Sequence, residues 1–214
     1  MRRVADETGD ETAGGTGGPT LPAGGTGGPT LPATGWAVLG LLSFGEELSG
    51  YDLKKRSDRS LRFFYWSPSF SQIYSELKRL EKAGYATSRR VAQESGTRDK
   101  RVYRITDDGM TAVREWAREA PVDPPVLKHG PMLRLWLGHL LEPEQMREVL
   151  VRQQEFAEEM RRRAVADAER AKDEPRAGDA YPTLTLKWAE RYYASERDLA
   201  AAVLDDIEEL AKRR

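Results

Sequence analysis

Residues 69–84 read Ser69-Phe70-Ser71-Gln72-Ile73-Tyr74-Ser75-Glu76-Leu77-Lys78-Arg79-Leu80-Glu81-Lys82-Ala83-Gly84. At ~100° per residue, Phe70, Ile73, Leu77 and Leu80 fall on one helical face, with Tyr74 on its shoulder. The opposite face carries Ser71, Gln72, Ser75, Lys78, Arg79 and Lys82 and no acid. The pattern predicts a helix from about Ser69 to Ala83, stopped by Gly84 as the residue that can turn left-handed. Beyond Gly84 the period changes. Tyr85 to Val91 alternates loosely, Glu94-Ser95-Gly96-Thr97 supplies turn chemistry, and Arg101 to Ile105 resumes strand character, so a hairpin with basic strands is expected.

Two shorter helices precede this unit. Thr34 is placed to cap the first, with Trp36, Leu39, Leu41 and Leu42 as its apolar face and an end before Gly45. Ser49 is placed to cap the second, which carries Tyr51 and Leu53 and ends on Lys54, Lys55 and Arg56, cations suited to a helix C-terminus. After the hairpin, Thr106 caps a helix from Asp107 to Glu119, acids in its first turn and Val113 and Trp116 inward, closed by Pro121, Pro124 and Pro125. Helix, helix, basic-faced helix, hairpin, helix is the order of a winged helix-turn-helix. A helix fits the major groove of B-DNA, its exposed side chains meeting base edges while flanking cations meet phosphates.

Three segments are therefore expected. Residues 1–33 form a disordered Gly/Pro/Thr-rich tail, in which AGGTGGPTLP at 13–22 is repeated identically at 23–32; few of its side chains can offset the conformational entropy of ordering. Residues 34–120 form the winged helix DNA-binding domain. Residues 126–214 form a helical dimerisation domain. In this last segment Pro131 to Leu141 is strongly apolar, and Met146, Val149, Leu150, Phe156 and Met160 recur at helical spacing. Pro175 and Gly178 break that helix, and Pro182 opens a last one bearing Leu184, Trp188, Tyr192, Leu199, Val203, Ile207 and Leu210. Two such helices carry more apolar stripe than they can cover on each other, and a second copy is the natural cover. The fold class is mainly α with a small β-hairpin wing.

Charge and composition narrow the function. The 214 residues have a net charge of −1, but Gly50 to Arg104 holds 14 Lys/Arg against 6 Asp/Glu, a net of +8 inside an otherwise acidic chain. That stretch suits a polyanion. The chain has no cysteine, which removes disulfides, thiolate zinc sites and cysteine nucleophiles. The longest apolar run, Trp36 to Leu42, is far short of the ~20 residues needed to span a bilayer. Arg2-Arg3 precede no hydrophobic region, so export is not expected and the cytoplasm is. His129 and His139 stand ten apart without metal-ligand spacing, the acids after Glu142 alternate with Arg as on a solvated helix face, and no Gly-rich loop follows a strand. No enzyme, metal or cofactor is expected.

Val38-Leu39-Gly40-Leu41-Leu42, Ser49-Gly50-Tyr51-Asp52-Leu53, Gln72 to Gly84, and Val102-Tyr103-Arg104-Ile105-Thr106-Asp107-Asp108-Gly109 together resemble the PadR family of transcriptional regulators, in the family's order. The long helical remainder is similar in layout to the C-terminal domain of the family's longer branch. The resemblance implies a homodimeric regulator, usually a repressor, released from its operator in double-stranded DNA by a small molecule or another signal; the two-fold symmetry of such a dimer asks for a palindromic operator. It makes the 69–83 helix the recognition helix and Tyr74 a characteristic residue of its DNA face. Two departures are visible: Ser75 stands where the family often has proline, and the wing turn Glu94 to Asp99 is not basic.

The expected DNA-contacting residues are Ser69, Ser71, Gln72, Tyr74, Ser75, Lys78 and Arg79 on the helix, with Arg89, Arg90, Lys100 and Arg101 on the wing. Tyr74 reads equally as a core-edge residue. Phe63 and Trp66, within Phe63-Phe64-Tyr65-Trp66, either line an effector pocket or pack under the recognition helix. Trp136 and Trp188 either stack an aromatic effector or belong to the core or the dimer interface. The competing function is a winged-helix module that docks protein instead of DNA. Salt separates the two, since neutralising ~6–10 phosphates costs about 10³–10⁵ in affinity between 50 and 200 mM salt.

Overall fold

Side-chain caps set three of the helix starts in the N-terminal half. The computed structural model describes residues 31–92, 99–122, 124–173 and 180–212. In it α1 spans Ala33–Leu42, β1 Leu48–Ser49 and α2 Gly50–Arg59. A 3-10 turn at Leu61–Phe63 leads to α3, Phe70–Lys82. Strands β2, Ala86–Val91, and β3, Lys100–Ile105, are followed by α4, Asp107–Glu119. Ser49 accepts from the Asp52 amide while the Asp52 carboxylate accepts from the Ser49 amide, a reciprocal capping box that starts α2. Ser69 and Gln72 do the same for α3, and Thr106 accepts from the Gly109 amide for α4.

Helix α3 ends as its sequence requires. Gly84 takes φ +76°, its amide donates to Glu81 O at 3.0 Å, and the Tyr85 amide donates to Leu80 O at 2.9 Å. That pair of bonds is a Schellman motif, and a side chain at position 84 would strain it. The chain then enters β2 directly. Strands β2 and β3 pair antiparallel with Ala86 opposite Ile105 and Val91 opposite Lys100. The two-residue β1 adds on the far side of β3, Leu48 opposite Tyr103, giving the order β1-β3-β2. Nothing in the local pattern marks β1 as a strand.

One apolar core joins these elements. Val38, Leu39 and Leu42 of α1, Leu53 of α2, and Ile73, Leu77 and Leu80 of α3 are fully buried and meet Ala86, Tyr103, Ile105 and Val113. Three expectations need correction. Thr34 does not cap α1; Pro32 holds the cap position and Thr34 lies inside the helix. The folded domain begins before residue 34, because Leu31 is 1% exposed and packs into the core. Trp36 and Trp116 are only half-buried and stack on each other at 5.3 Å, while Val38 takes the inward position. The tandem decapeptide, except for Leu31 and Pro32, lies outside the described residues, as do the wing turn 94–97 and the 175–178 break.

The second half is helical. Helix α5 covers Gly130–Trp136, followed by a 3-10 turn at Gly138–Leu140. Helices α6, Pro143–Asp173, and α7, Ala180–Lys212, pack along each other. Their seam is built from small residues, Ala157, Ala164 and Ala168 against Ala189, with Met160, Leu186 and Tyr193. Much of the apolar stripe of α7 stays uncovered: Leu184, Trp188, Leu199 and Leu210 are each at least half exposed, while Tyr192, Val203 and Ile207 are half-buried. Phe63 of the first domain is buried in this seam, edge-on to Tyr193, whose hydroxyl donates to Phe63 O at 3.2 Å. Among the described residues no helix is long and apolar enough to cross a membrane.

Glu76 breaks the pattern of α3. Its carboxyl is buried under α1, where a β-carbon on Gly35 would lie 3.1 Å from Oε2. Oε2 has no hydrogen-bond partner, and Arg79 Nη1 stands 3.6 Å away. Burial pushes this carboxyl above its usual range, only partly opposed by Arg79. A carboxyl with a raised pKa in the fold costs stability above that pKa and returns it as pH falls through it, the unfolded chain staying ionised to lower pH. Glu76→Met is therefore expected to stabilise the protein by about 1 kcal/mol near neutral pH, roughly 4 °C in melting temperature. The gain should shrink toward about pH 4.5. Melts of both proteins across that range test it; a gain independent of pH would assign the effect to packing rather than to the buried charge.

Candidate nucleic-acid interface

Because Ile73, Leu77 and Leu80 face the core, α3 must turn its other side to solvent. Ser69, Ser71, Gln72, Tyr74, Ser75, Lys78 and Arg79 are all exposed along that side, so the structure gathers the seven helix residues expected from the sequence on one surface. Lys82 joins them at the C-terminal end. Tyr74 is 45% exposed, and its ring crosses the start of α2, where a β-carbon on Gly50 would lie 2.5 Å from Tyr74 Cζ. Glycine at the first position of α2 is thus a requirement of this close approach. It sets Tyr74 across two helices at the edge of the surface.

The first turn of α3 is less free than its polar composition suggests. Gln72 Oε1 accepts from the Ser69 amide at 2.8 Å, Ser69 Oγ accepts from the Gln72 amide at 3.3 Å, and the Ser69 and Ser71 hydroxyls are 2.9 Å apart. Phe70, placed by its spacing on the inward face, is instead 46% exposed, and Tyr51 is 62% exposed. Their rings stack at 6.4 Å and 17°. Both belong to the surface, and sequence reasoning misses both. For Phe70 a signal is available: Ile73, Leu77 and Leu80 already fill the buried stripe over about two turns, and Phe70 lies one turn beyond it, in the capped end.

The wing cations are placed beside this surface but are engaged. Arg89 forms a two-bond pair with Glu47, holding that carboxyl below its usual range. Lys100 pairs with Asp52 at 2.9 Å. Burial pushes Asp52 up, but its bonds from Lys100 and Ser49 outweigh this and leave it lowered. Arg101 reaches Glu81 at 2.9 Å and Ser88 Oγ at 2.8 Å and lies over the Tyr103 ring. Among the described residues Lys78, Lys82, Arg90 and Arg104 form no ion pair. Of the cations on α3 and β2, Lys78, Lys82 and Arg90 are thus unengaged, while Arg104 acts at longer range on the Glu47 carboxylate.

A second feature lies between the two halves. A cavity of about 520 Å³ is walled by the Trp36–Trp116 stack, Phe44, Phe64, Tyr65 and Tyr181, with Arg56, Arg59, Asp167 and Arg170 among its polar groups. Phe63, Trp66, Trp136 and Trp188 do not meet around it. Phe63 is buried in the α6–α7 seam. Trp66 is half-buried and stacks on Tyr65 at 4.1 Å. Trp136, 78% exposed, and Trp188, 50% exposed, stand on the outer faces of α5 and α7. No local pattern could have assembled a wall drawn from residues 36 to 186. His129 caps α5, its Nδ1 accepting from the Met132 amide at 3.2 Å, and its Nε2 lies 2.9 Å from Glu196. Among the described residues no group of three or more His, Asp or Glu is arranged to hold a metal ion.

Residues 38–115 match the model of the transcriptional regulator PadR-like family, and residues 127–208 match the virulence activator alpha C-terminal model. The negative transcriptional regulator PadR of Bacillus subtilis is 41% identical over 103 residues, 47% of this chain and 54% of that one. The chain spans about half the length of the curated relatives it matches. The crystal structure of Bacillus subtilis PadR in complex with operator DNA superposes with a TM-score of 0.68 at 28% identity, covering 81% of this chain and 98% of that one. The same protein in complex with p-coumaric acid gives 0.63 at 25%, covering 81% and 94%. The matched families and relatives are transcriptional regulators rather than enzymes. With both halves matched in order on the fold of solved PadR regulators, residues 38–115 form a domain of the transcriptional regulator PadR-like family, followed at 127–208 by a virulence activator alpha C-terminal domain.

Proposed function

We propose that this protein is a sequence-specific DNA-binding transcriptional regulator, a repressor that acts in the cytoplasm as a homodimer on a palindromic operator. The observation that carries the reading is the exposed face of α3, polar at its start and cationic through Lys78 and Arg79, presented beside a hairpin wing. The superposition on a relative bound to operator DNA supports it. The protein-docking alternative has no observation in its favour. Lys78 and Arg79 supply phosphate contacts, Tyr74 and the first turn of α3 approach the bases, and Arg90 with the other wing cations flanks them. Arg89, Lys100 and Arg101 reach phosphate by exchanging their carboxylate partners, a cheap exchange because exposed pairs contribute only ~0–1 kcal/mol.

The second copy covers the outward stripe of α7. Leu184, Trp188, Leu199 and Leu210 are exposed, together with Leu133, Trp136 and Leu140 before α6. An isologous dimer through these helices sets two copies of α3 about 34 Å, one turn of DNA, or a multiple of it apart. The cavity between the halves is the effector site, its aromatic walls and arginines suited to a flat aromatic acid of the kind bound by the Bacillus subtilis relative.

Three outcomes are expected. Lys78→Ala with Arg79→Ala should abolish nanomolar binding to an operator duplex, measured by anisotropy, while leaving the dimer intact. It should also lower the salt slope by about 2 per protomer; unchanged operator binding would remove α3 from its role. In light scattering the native protein should show twice its 24.1 kDa chain mass. Trp188→Glu with Leu199→Glu should show one chain mass, and a native monomer would overturn the dimer. In calorimetry, Trp116→Ala should weaken p-coumaric acid binding by about tenfold or more with operator binding retained. Equal binding by the variant would move the effector site elsewhere.

A further inference from the structure

We infer that Phe70, backed by the Tyr51 ring, reads the C5-methyl group of a thymine in the major groove. The inference rests on the DNA-binding function proposed above and adds to it a specificity-determining contact. Three observations converge on it. Phe70 occupies the first turn of α3, the part of a recognition helix whose side chains reach base edges. It is 46% exposed, whereas Ile73, Leu77 and Leu80 are fully buried, and so it contributes little to the core. Its ring is not loose: Tyr51, from the first turn of α2, stacks on it at 6.4 Å and 17°.

The neighbours sharpen the assignment. The polar side chains around Phe70 are committed to holding the helix start. Gln72 uses its oxygen on the Ser69 amide at 2.8 Å, and Ser69 and Ser71 bond each other at 2.9 Å. While that cap is formed, one lone pair of the Gln72 oxygen is taken and its amide is held against the helix start, so a paired donor-and-acceptor contact to adenine competes with the cap. What the head of the helix offers outward is an apolar ring. Of the four natural bases only thymine presents an apolar group in the major groove, and phenylalanine is among the side chains suited to it. Covering that methyl also shields aromatic surface that the free protein leaves in water.

The test uses the full chain and a duplex selected by it from a random library. Each thymine of the selected duplex is replaced in turn by deoxyuridine, which removes the methyl and leaves base pairing unchanged. The native protein should bind about fourfold more weakly when the contacted thymine is replaced, the worth of one buried methyl-sized group. Phe70→Ala should bind the thymine and deoxyuridine duplexes equally, with affinity for random duplex unchanged. Phe70→Leu, which keeps an apolar tip, should retain part of the discrimination. Indifference of the native protein to every replacement, or full discrimination by Phe70→Ala, would overturn the inference and leave the DNA-binding function standing. Failure of the library to yield any preferred sequence would instead overturn the DNA-binding function, and this inference with it.

Discussion

Ile73, Leu77 and Leu80 have no exposed surface, and on a helix that turns ~100° per residue, burying three positions on one stripe fixes the rotation of α3 about its own axis. Everything displayed outward depends on that rotation. Lys78, Arg79, Ser75 and Tyr74 face solvent because their neighbours cannot. The two ends of the helix are fixed as firmly as its face. The Ser69–Gln72 box closes one and the Gly84 turn the other, so the helix has little freedom to slide or fray. A surface that is to meet a nucleic acid in one register needs such a support. Here it comes from packing and caps rather than from the exposed residues themselves.

The wing is held by a different kind of force. Arg89–Glu47, Lys100–Asp52 and Arg101–Glu81 tie β2 and β3 to the body of the domain through exposed ion pairs, which orient more than they stabilise. Asp52 serves twice, closing the cap of α2 and holding Lys100. Helix α2 in turn borders both features of the molecule. Its start lies under the Tyr74 ring and its end contributes Arg56 and Arg59 to the cavity between the halves. A ten-residue helix is therefore a shared wall of the exposed α3 surface and of the cavity.

The joint between the halves shows how small residues decide large ones. Alanines line the contact of α6 with α7 and let the two helices approach closely. The larger apolar side chains of α7, at the same helical period, are left on the outside. Spacing alone cannot distinguish these two stripes, because both repeat every three to four residues. In the sequence Phe63 is legible only as an aromatic with two possible duties. Its burial against Tyr193 assigns it to holding the first domain on the second.

Much of the fold is legible in the sequence because it rests on contacts within a few residues. The caps at Ser49 and Thr106, the start of α3 near Ser69, the stop at Gly84, the change from period 3.6 to period 2 after Tyr85, and the cationic face of α3 are local patterns, each with a local physical cause. The residues that pattern misjudges share the opposite property. Phe70 reads as inward because spacing counts apolar residues without knowing when the core is full, and Tyr51 gains its place only from the ring it stacks on. Leu31 reads as part of a tail because a single leucine in a Gly/Pro-rich run has no period. The partners of Arg89, Lys100 and Arg101 and the walls of the cavity come from residues far apart in the chain. By itself the sequence determined the order of the main helices and the hairpin and the chemistry of the outward face of α3. Which aromatics face water, which cations are engaged and where a cavity opens were decided only by the tertiary structure. These depend on how distant surfaces meet, and no stretch of chain encodes that locally.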